Sequence, residues 1–375
     1  MILSIVIFII TLLFLVVAHE FGHFLLAKKF GVKVLEFGFG IPPRIWGKKV
    51  GETLVSINWI PLGGFVRLFG ENGMDKEHLE RKDAFVSKPT WQRILIIVAG
   101  ASINFLLAAT LFWVVLFAQG FKTSLPALTD YKFFGAKQVT QSTILVGNVA
   151  KDSPAEGKIS PGDRILEING IKLQKSEELI DLTKKFTGRE ITLNLQNPAD
   201  EIRKVSLTPR LDPPKGQGAI GISLGTVKAI NLSYETLPEK LGSGLTYSYN
   251  LGVYSIVVLG KFIGQAISSQ DLAPVSETVS GPIAITGVAS EILKTDSPVI
   301  PYLNFVAFIS LNLAILNILP FPALDGGRLL FLLIELITRK KVKAEIEQFI
   351  HTLGFAILIG LSILVAFSDI RKLFF

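Results

Sequence analysis

Apolar residues run almost unbroken through four segments, Ile2–Ala27, Ile94–Ala118, Pro301–Leu319 and Phe349–Phe367. Roughly 20 residues at about 1.5 Å rise cross a bilayer core, so each segment predicts a transmembrane helix. A fifth, Leu241–Ile267, is interrupted by Tyr247, Tyr249, Asn250, Lys261, Gln265 and five glycines. That mixture predicts an amphipathic helix lying on the outer surface rather than a span. Between Gln141 and Val227 charge rises and the apolar runs shorten. Ile144–Val146, Ile165–Ile168, Ile191–Leu195 and Val205–Leu207 have the look of strands, and Asn169-Gly170 signals a tight turn. Ser176 is expected to cap a helix through Phe186, with Leu179, Leu182 or Thr183, and Phe186 on one face and Gly188 ending it. About 85 residues suffice for one small core.

Composition sharpens this picture. Only 18% of the 375 residues are charged, against about a quarter in soluble domains. The formal net charge of +7 could suggest nucleic acid, but the basic residues flank the apolar spans. Lys28, Lys29, Lys33, Arg44, Lys48, Lys49, Arg67, Lys76, Arg81, Lys82, Lys88 and Arg93 lie between the first two spans. Arg339, Lys340, Lys341 and Lys343 lie between the last two. Both clusters are expected in the cytoplasm. The N-terminus, the long middle segment and the tail Asp369–Phe375 then fall on the outer face, a parity that four spans satisfy. The first span has neither a basic leading region nor a small-x-small cleavage site, so it reads as a retained helix. With no cysteine, disulfides, iron–sulfur clusters and thiol catalysis are excluded.

The chemistry is concentrated in His19-Glu20-Phe21-Gly22-His23, inside the first span. Residues i and i+4 share a helix face, so both imidazoles can reach one metal ion with Glu20 beside it. A pair of packed histidines would not explain a glutamate between them, because ionisable groups cost several kcal/mol in an apolar helix. Two imidazoles and a carboxylate suit zinc, with water in the fourth position and Glu20 as its base. The third ligand must come from elsewhere. Asp325 is a second carboxylate within an apolar region, in Asn317-Ile318-Leu319-Pro320-Phe321-Pro322-Ala323-Leu324-Asp325-Gly326-Gly327, where the prolines break the helix.

Taken with this second motif, the chain resembles the site-2 protease family of intramembrane zinc metalloproteases, in particular the bacterial regulator-of-sigma-E protease group. The resemblance runs over essentially the whole length. It implies His19, His23 and Asp325 as Zn2+ ligands and Glu20 as the catalytic base. Asp152-Ser153-Pro154-Ala155 and Pro161-Gly162-Asp163-Arg164-Ile165-Leu166-Glu167-Ile168-Asn169-Gly170 closely resemble a PDZ domain. Such domains take an extended peptide or a C-terminus as an added strand. Ala219-Ile220-Gly221-Ile222 is similar to the segment that receives the carboxylate, and Gly221 could equally serve only to turn a strand. One such domain fits in this chain, where a well-known family member carries two in tandem.

Three further segments match. Gly100-Ala101-Ser102-Ile103-Asn104 resembles a motif that places Asn104 near the site, although a buried amide can simply bond a neighbouring helix. Asn312 and Asn317 correspond to asparagines associated with substrate handling, with interhelical bonding as the alternative. Leu35–Gly40 and Val55–Trp59 alternate with period two and, with Pro61–Val66, resemble a membrane-re-entrant β-loop that pairs with an unwound substrate.

The expected fold class is therefore an α-helical polytopic membrane protein, with four transmembrane helices and a membrane-re-entrant β-loop, plus one α+β PDZ-like domain. The expected regions are 1–120 with the first two spans and the β-loop, 125–228 PDZ-like, 229–300 interfacial, and 301–375 with the last two spans. The implied function is regulated intramembrane proteolysis of single-span substrates, such as anti-sigma factors or remnant signal peptides, after a first extracytoplasmic cut. The expected surroundings are the lipid bilayer of a bacterial cytoplasmic membrane, with both termini and the PDZ-like domain outside and no nucleic-acid partner. A silent PDZ adaptor would be expected to lose its metal-binding residues. A transporter would be expected to show more spans and internal repeats.

Overall fold

A computed structural model describes residues 2–71, 80–173, 175–197, 201–214, 216–269 and 281–374. Lys76, His78, residues 270–280 of the expected interfacial stretch, and Phe375 lie outside these. The chain forms two units: Phe121–Glu239, and Met1–Gly120 together with Lys240–Phe375.

The helical unit begins with α1 (Ile2–Lys29), which ends at two lysines and a left-handed Gly31. Two long strands follow, β1 (Val34–Val50) and β2 (Thr53–Leu68). They fold back on each other so that Glu36–Phe39 stand opposite Leu54–Ile57 and also opposite Gly64–Arg67. Next comes α2 (Thr90–Ala118). Small residues let α1 and α2 touch backbone to backbone, since a Cβ on Gly22 would lie 2.5 Å from the Ala99 carbonyl oxygen. This close approach is how helices associate where water exclusion offers no drive.

The β unit contains β3 (Lys122–Pro126), β4 (Lys137–Val149), β5 (Arg164–Ile168), β6 (Ile171–Lys172), α3 (Ser176–Lys185), β7 (Ile191–Gln196), β8 (Ile202–Leu207) and β9 (Ile222–Ser233). Its strands form one sheet in the order β3-β9-β4-β5-β7-β8, with β6 beside β5. Alternating residues of β7, Ile191, Leu193 and Leu195, point into a core that Ile144, Ile165, Ile168 and Leu179 complete. Each strand expected from the sequence lies within an observed one. Asn169 and Gly170 both have positive φ, as a tight primed turn requires. Ser176 does not cap its helix: Lys175 occupies the N-cap, and the Ser176 hydroxyl bonds Thr226 on β9 at 2.5 Å.

The helical unit resumes with α4 (Leu237–Ser269), α5 (Pro282–Leu293), α6 (Val299–Ile318), α7 (Asp325–Thr338) and α8 (Ala344–Phe374). Among the described residues, five helices are long and apolar enough to cross a membrane, α4 being the fifth. The expected count of four is therefore not established by length and composition. Of the polar residues that suggested a surface helix, Tyr247 and Asn250 are buried, along with Ser243, Ser248 and Tyr254, while Tyr249, Lys261 and Gln265 are exposed. The buried residues serve helix contacts: Tyr247 meets Phe112 edge-on, and Gly244 lies against the Ala109 carbonyl.

Candidate active site

His19 and His23 lie one turn apart on α1, both buried, with their Nε2 atoms 3.1 Å apart. Asp325 Oδ2 approaches the same two nitrogens at 2.9 and 3.2 Å. The three groups offer ligand atoms that all lie within 4.8 Å of one another. His23 Nδ1–H donates to the Ile96 carbonyl at 2.8 Å. That bond fixes the tautomer and leaves the Nε2 lone pair facing the cluster.

Local sequence explains how Asp325 arrives there. Pro320 and Pro322 prevent α6 from continuing past Ile318. The chain turns through Ala323, which has a left-handed φ of 77°, and restarts as α7 at Asp325. A carboxylate in the first turn suits the positive end of a helix. The two glycines after it are sterically required: a Cβ on Gly326 would overlap the Leu319 carbonyl, and one on Gly327 would lie 2.6 Å from the Phe321 carbonyl oxygen.

A cavity of about 260 Å³ adjoins the cluster, lined by His19, Glu20, Asn104, Asn317 and Asp325, with Val16 and Leu313. Glu20 shares this cavity with His19 and also meets the β-loop, since a Cβ on Gly64 would lie 3.6 Å from its Cγ. Asn104 is fully buried, and neither side-chain polar atom has a hydrogen-bond partner among the described residues. Of the sequence-derived candidates, Asn312 stands apart: its amide donates to Phe308 of its own helix at 2.8 Å, and it does not line the cavity. Gly221 belongs to the β unit, with φ of 76° immediately before β9.

Several supporting roles are not evident from the sequence alone. Gly100, there only the first residue of the motif that ends at Asn104, faces the two histidines: a Cβ on it would lie 2.4 Å from His23 Nε2 and 2.7 Å from His19 Nε2. Two ion pairs brace the region, Arg328 with Glu71 and the buried Arg93 with Glu335. His351 is another supporting residue, accepting from the Ala323 N–H at 2.9 Å.

The donor set fits a zinc ion. Two imidazole nitrogens and a carboxylate oxygen converge at close range, with lone pairs aimed at one another, an arrangement that a shared cation would relieve. A glycine keeps the adjoining helix face clear of them.

Comparison with known proteins agrees with this arrangement. The profile of peptidase family M50 matches residues 7–361. A Clostridium acetobutylicum protein is 34% identical over 371 residues, covering 98% of this chain and 97% of the relative. The zinc metalloprotease RasP of Geobacillus kaustophilus is 28% identical over 446 residues, covering 99% and 98%. The regulator of sigma-W protease RasP of Bacillus subtilis is 28% identical over 452 residues, covering 99% of each. Among solved structures, the PDZ domain of the SdrC-like protein of Listeria monocytogenes is 29% identical, covers 22% of this chain and 85% of that one, and has a TM-score of 0.20.

The apolar helices and the family match define an integral membrane zinc metalloprotease. The chain belongs to peptidase family M50, the site-2 protease family.

Proposed function

We propose that this protease hydrolyses peptide bonds inside the transmembrane segment of single-span proteins, with His19, His23 and Asp325 holding the zinc ion and Glu20 as general base. The observation that carries the reading is the depth of the cluster. His19 lies nine residues before Lys28 on a continuous helix, or about 13 Å from the basic edge. The scissile bond therefore meets the metal within the hydrocarbon layer.

A zinc ion held by His19, His23 and Asp325 would supply the acidity that activates a water molecule and the positive charge that polarises the scissile carbonyl. Glu20 is placed to accept the proton of the attacking water and to hand it to the leaving amine. Asn104, buried with an uncommitted amide, donates to the carbonyl oxygen as charge develops on it. Asn317, in the same cavity, bonds the substrate backbone. Asn312 is left to its own helix.

A helical substrate hides its peptide bonds, so it has to be drawn out before it is cut. Gly64–Arg67 of β2 pair with β1 on one side and lie next to Glu20, which supports a role for this edge in holding an extended strand. A membrane-re-entrant position for the β-loop follows from the same reading. Its turn region exposes Ile45, Trp46 and Trp59.

Basic residues support the orientation. Lys341 Nζ donates to the Val86 carbonyl, and Arg93 at the start of α2 pairs with Glu335 near the end of α7. The two basic clusters thus share one side, taken as cytoplasmic. At the opposite end of α2, Trp113 donates to the Lys240 carbonyl. At the opposite end of α8, Asp369 accepts from the backbone of Gly281 and Ala284. Lys240 and Gly281 then lie on the outer side together, which supports four crossings, with both termini and the β unit outside, in a bacterial cytoplasmic membrane.

In the β unit, Ile222–Val227 pair with β4, while β3 covers only Ala229–Ser233. The uncovered edge runs beside α3, which touches it through Ser176 and Thr226. This supports a PDZ-like site that takes a peptide or C-terminus as an added strand, with Gly221 at its head. Substrates are proposed to arrive after another protease has removed their outer domains, anti-sigma factors and remnant signal peptides being the classes that the family resemblance suggests. The relative named as a regulator of sigma-W protease is consistent with the former.

The assignment of roles is tested by zinc analysis of the purified protein. Glu20→Gln should keep about one zinc ion per chain and lose cleavage; Asp325→Asn should lose metal, because a neutral amide is a poor zinc ligand. Unchanged zinc affinity in Asp325→Asn would point to a different third ligand.

A further inference from the structure

We propose that His351 is a positioning residue for the metal centre: from α8 it holds the backbone of Ala323 in the conformation that delivers Asp325. The inference rests on the reading of Asp325 as a zinc ligand. Ala323 has φ of 77°, a left-handed conformation that is strained for a non-glycine residue and persists only when its surroundings hold it. Its N–H donates to His351 Nδ1 at 2.9 Å, across 28 residues of sequence. One turn further along α8, Gly354 seats the same loop. A Cβ there would lie 2.3 Å from the Pro322 Cβ and 2.7 Å from its carbonyl carbon and oxygen. The imidazole is itself placed by Phe331 of α7, with ring centroids 5.8 Å apart.

The loop therefore has two sets of anchors. On its own chain, Phe321 N–H bonds the Leu319 carbonyl and Gly327 N–H bonds the Leu324 carbonyl. From outside, His351 supplies the acceptor for Ala323, two residues before Asp325. Without that acceptor the amide is left unpaired in a partly buried site, and the left-handed turn loses the contact that selects it. Asp325 would then sample positions away from the 2.9 and 3.2 Å contacts it makes with His19 and His23. A residue touching neither metal nor substrate would in this way set metal affinity, as outer-shell groups do.

The test is zinc competition titration, alongside thermal melting, of the purified full-length protein and its Asp325→Asn, His351→Leu and His351→Asn variants. His351→Leu should weaken zinc binding about tenfold. His351→Asn, whose Oδ1 can stand where Nδ1 stands, should bind zinc close to wild type. If His351→Leu does not fold, His351→Gln replaces it, keeping size and polarity but placing its oxygen further out, and should also bind zinc more weakly than His351→Asn. Wild-type affinity in His351→Leu, with Asp325→Asn weakened, would overturn the positioning role alone. Equal losses in the Asn and Leu variants would also overturn it, because the acceptor would then not be what matters. Unchanged affinity in Asp325→Asn would instead remove the ligand reading, and the inference would fall with it.

Discussion

His23 and Ile96 are joined by a 2.8 Å bond from the imidazole Nδ1–H to the backbone carbonyl, which ties the second histidine of α1 to the neighbouring helix. The bond is available because Gly22 and Gly100 let α1 and α2 approach until backbone meets backbone. Metal chemistry and helix packing thus depend on the same two glycines.

Gly100→Ala should therefore damage the site directly. Its methyl group would collide with both Nε2 atoms, and neither histidine can move without losing its place. Zinc content should fall well below one per chain while the protein still folds. Gly22→Ala, whose methyl meets the rigid Ala99 carbonyl, should instead destabilise the fold, by about 1–3 kcal/mol. Metal analysis and thermal melting in detergent separate the two.

Asn104 and Asn317 should behave unlike Asn312. Asn104→Ala is expected to lower kcat about 100-fold or more with zinc content unchanged, because the amide acts as charge develops on the carbonyl oxygen. Asn317→Ala should chiefly raise KM. Asn312→Ala should leave both constants near wild type, since its amide serves its own helix turn. Single-turnover cleavage assays distinguish these outcomes.

How far the sequence revealed this site follows from separation along the chain. His19, Glu20 and His23 were legible because helical spacing alone places them together. Asp325 stood out as a second carboxylate in an apolar stretch, but its place beside His19 came only through the family resemblance; 306 residues separate the two, and no local rule spans that distance. The roles of Gly100 and His351 were not reached because each depends on what faces the residue from another helix. On α4, Tyr247 and Asn250 are buried, Tyr247 against Phe112 of a neighbouring helix, which the sequence alone does not show.

Topology can be read with single cysteines in a chain that has none of its own. Substitutions at Lys172 and Lys294 should react with an impermeant reagent from outside intact cells, and those at Lys49 and Lys341 should not. Labelling of position 341 from outside, with 294 protected, would mean that α4 crosses the membrane after all.

The β unit should act in substrate choice. A single-span substrate with its outer domain removed should be cut faster than the intact one by the wild-type protein, and deletion of residues 141–227 should narrow the difference. Equal rates for intact and trimmed substrate in the wild type would rule out a size filter.

The central claim is that the peptide bond is broken inside the membrane by the centre built from His19, His23, Asp325 and Glu20. The direct measurement is mass spectrometry of both products from a purified single-span substrate, cleaved by zinc-loaded wild type beside Glu20→Gln and His23→Ala. The cut should map within the apolar span and disappear in both variants, with zinc retained only in Glu20→Gln. A cut outside the span, or undiminished cleavage by Glu20→Gln, would contradict the account.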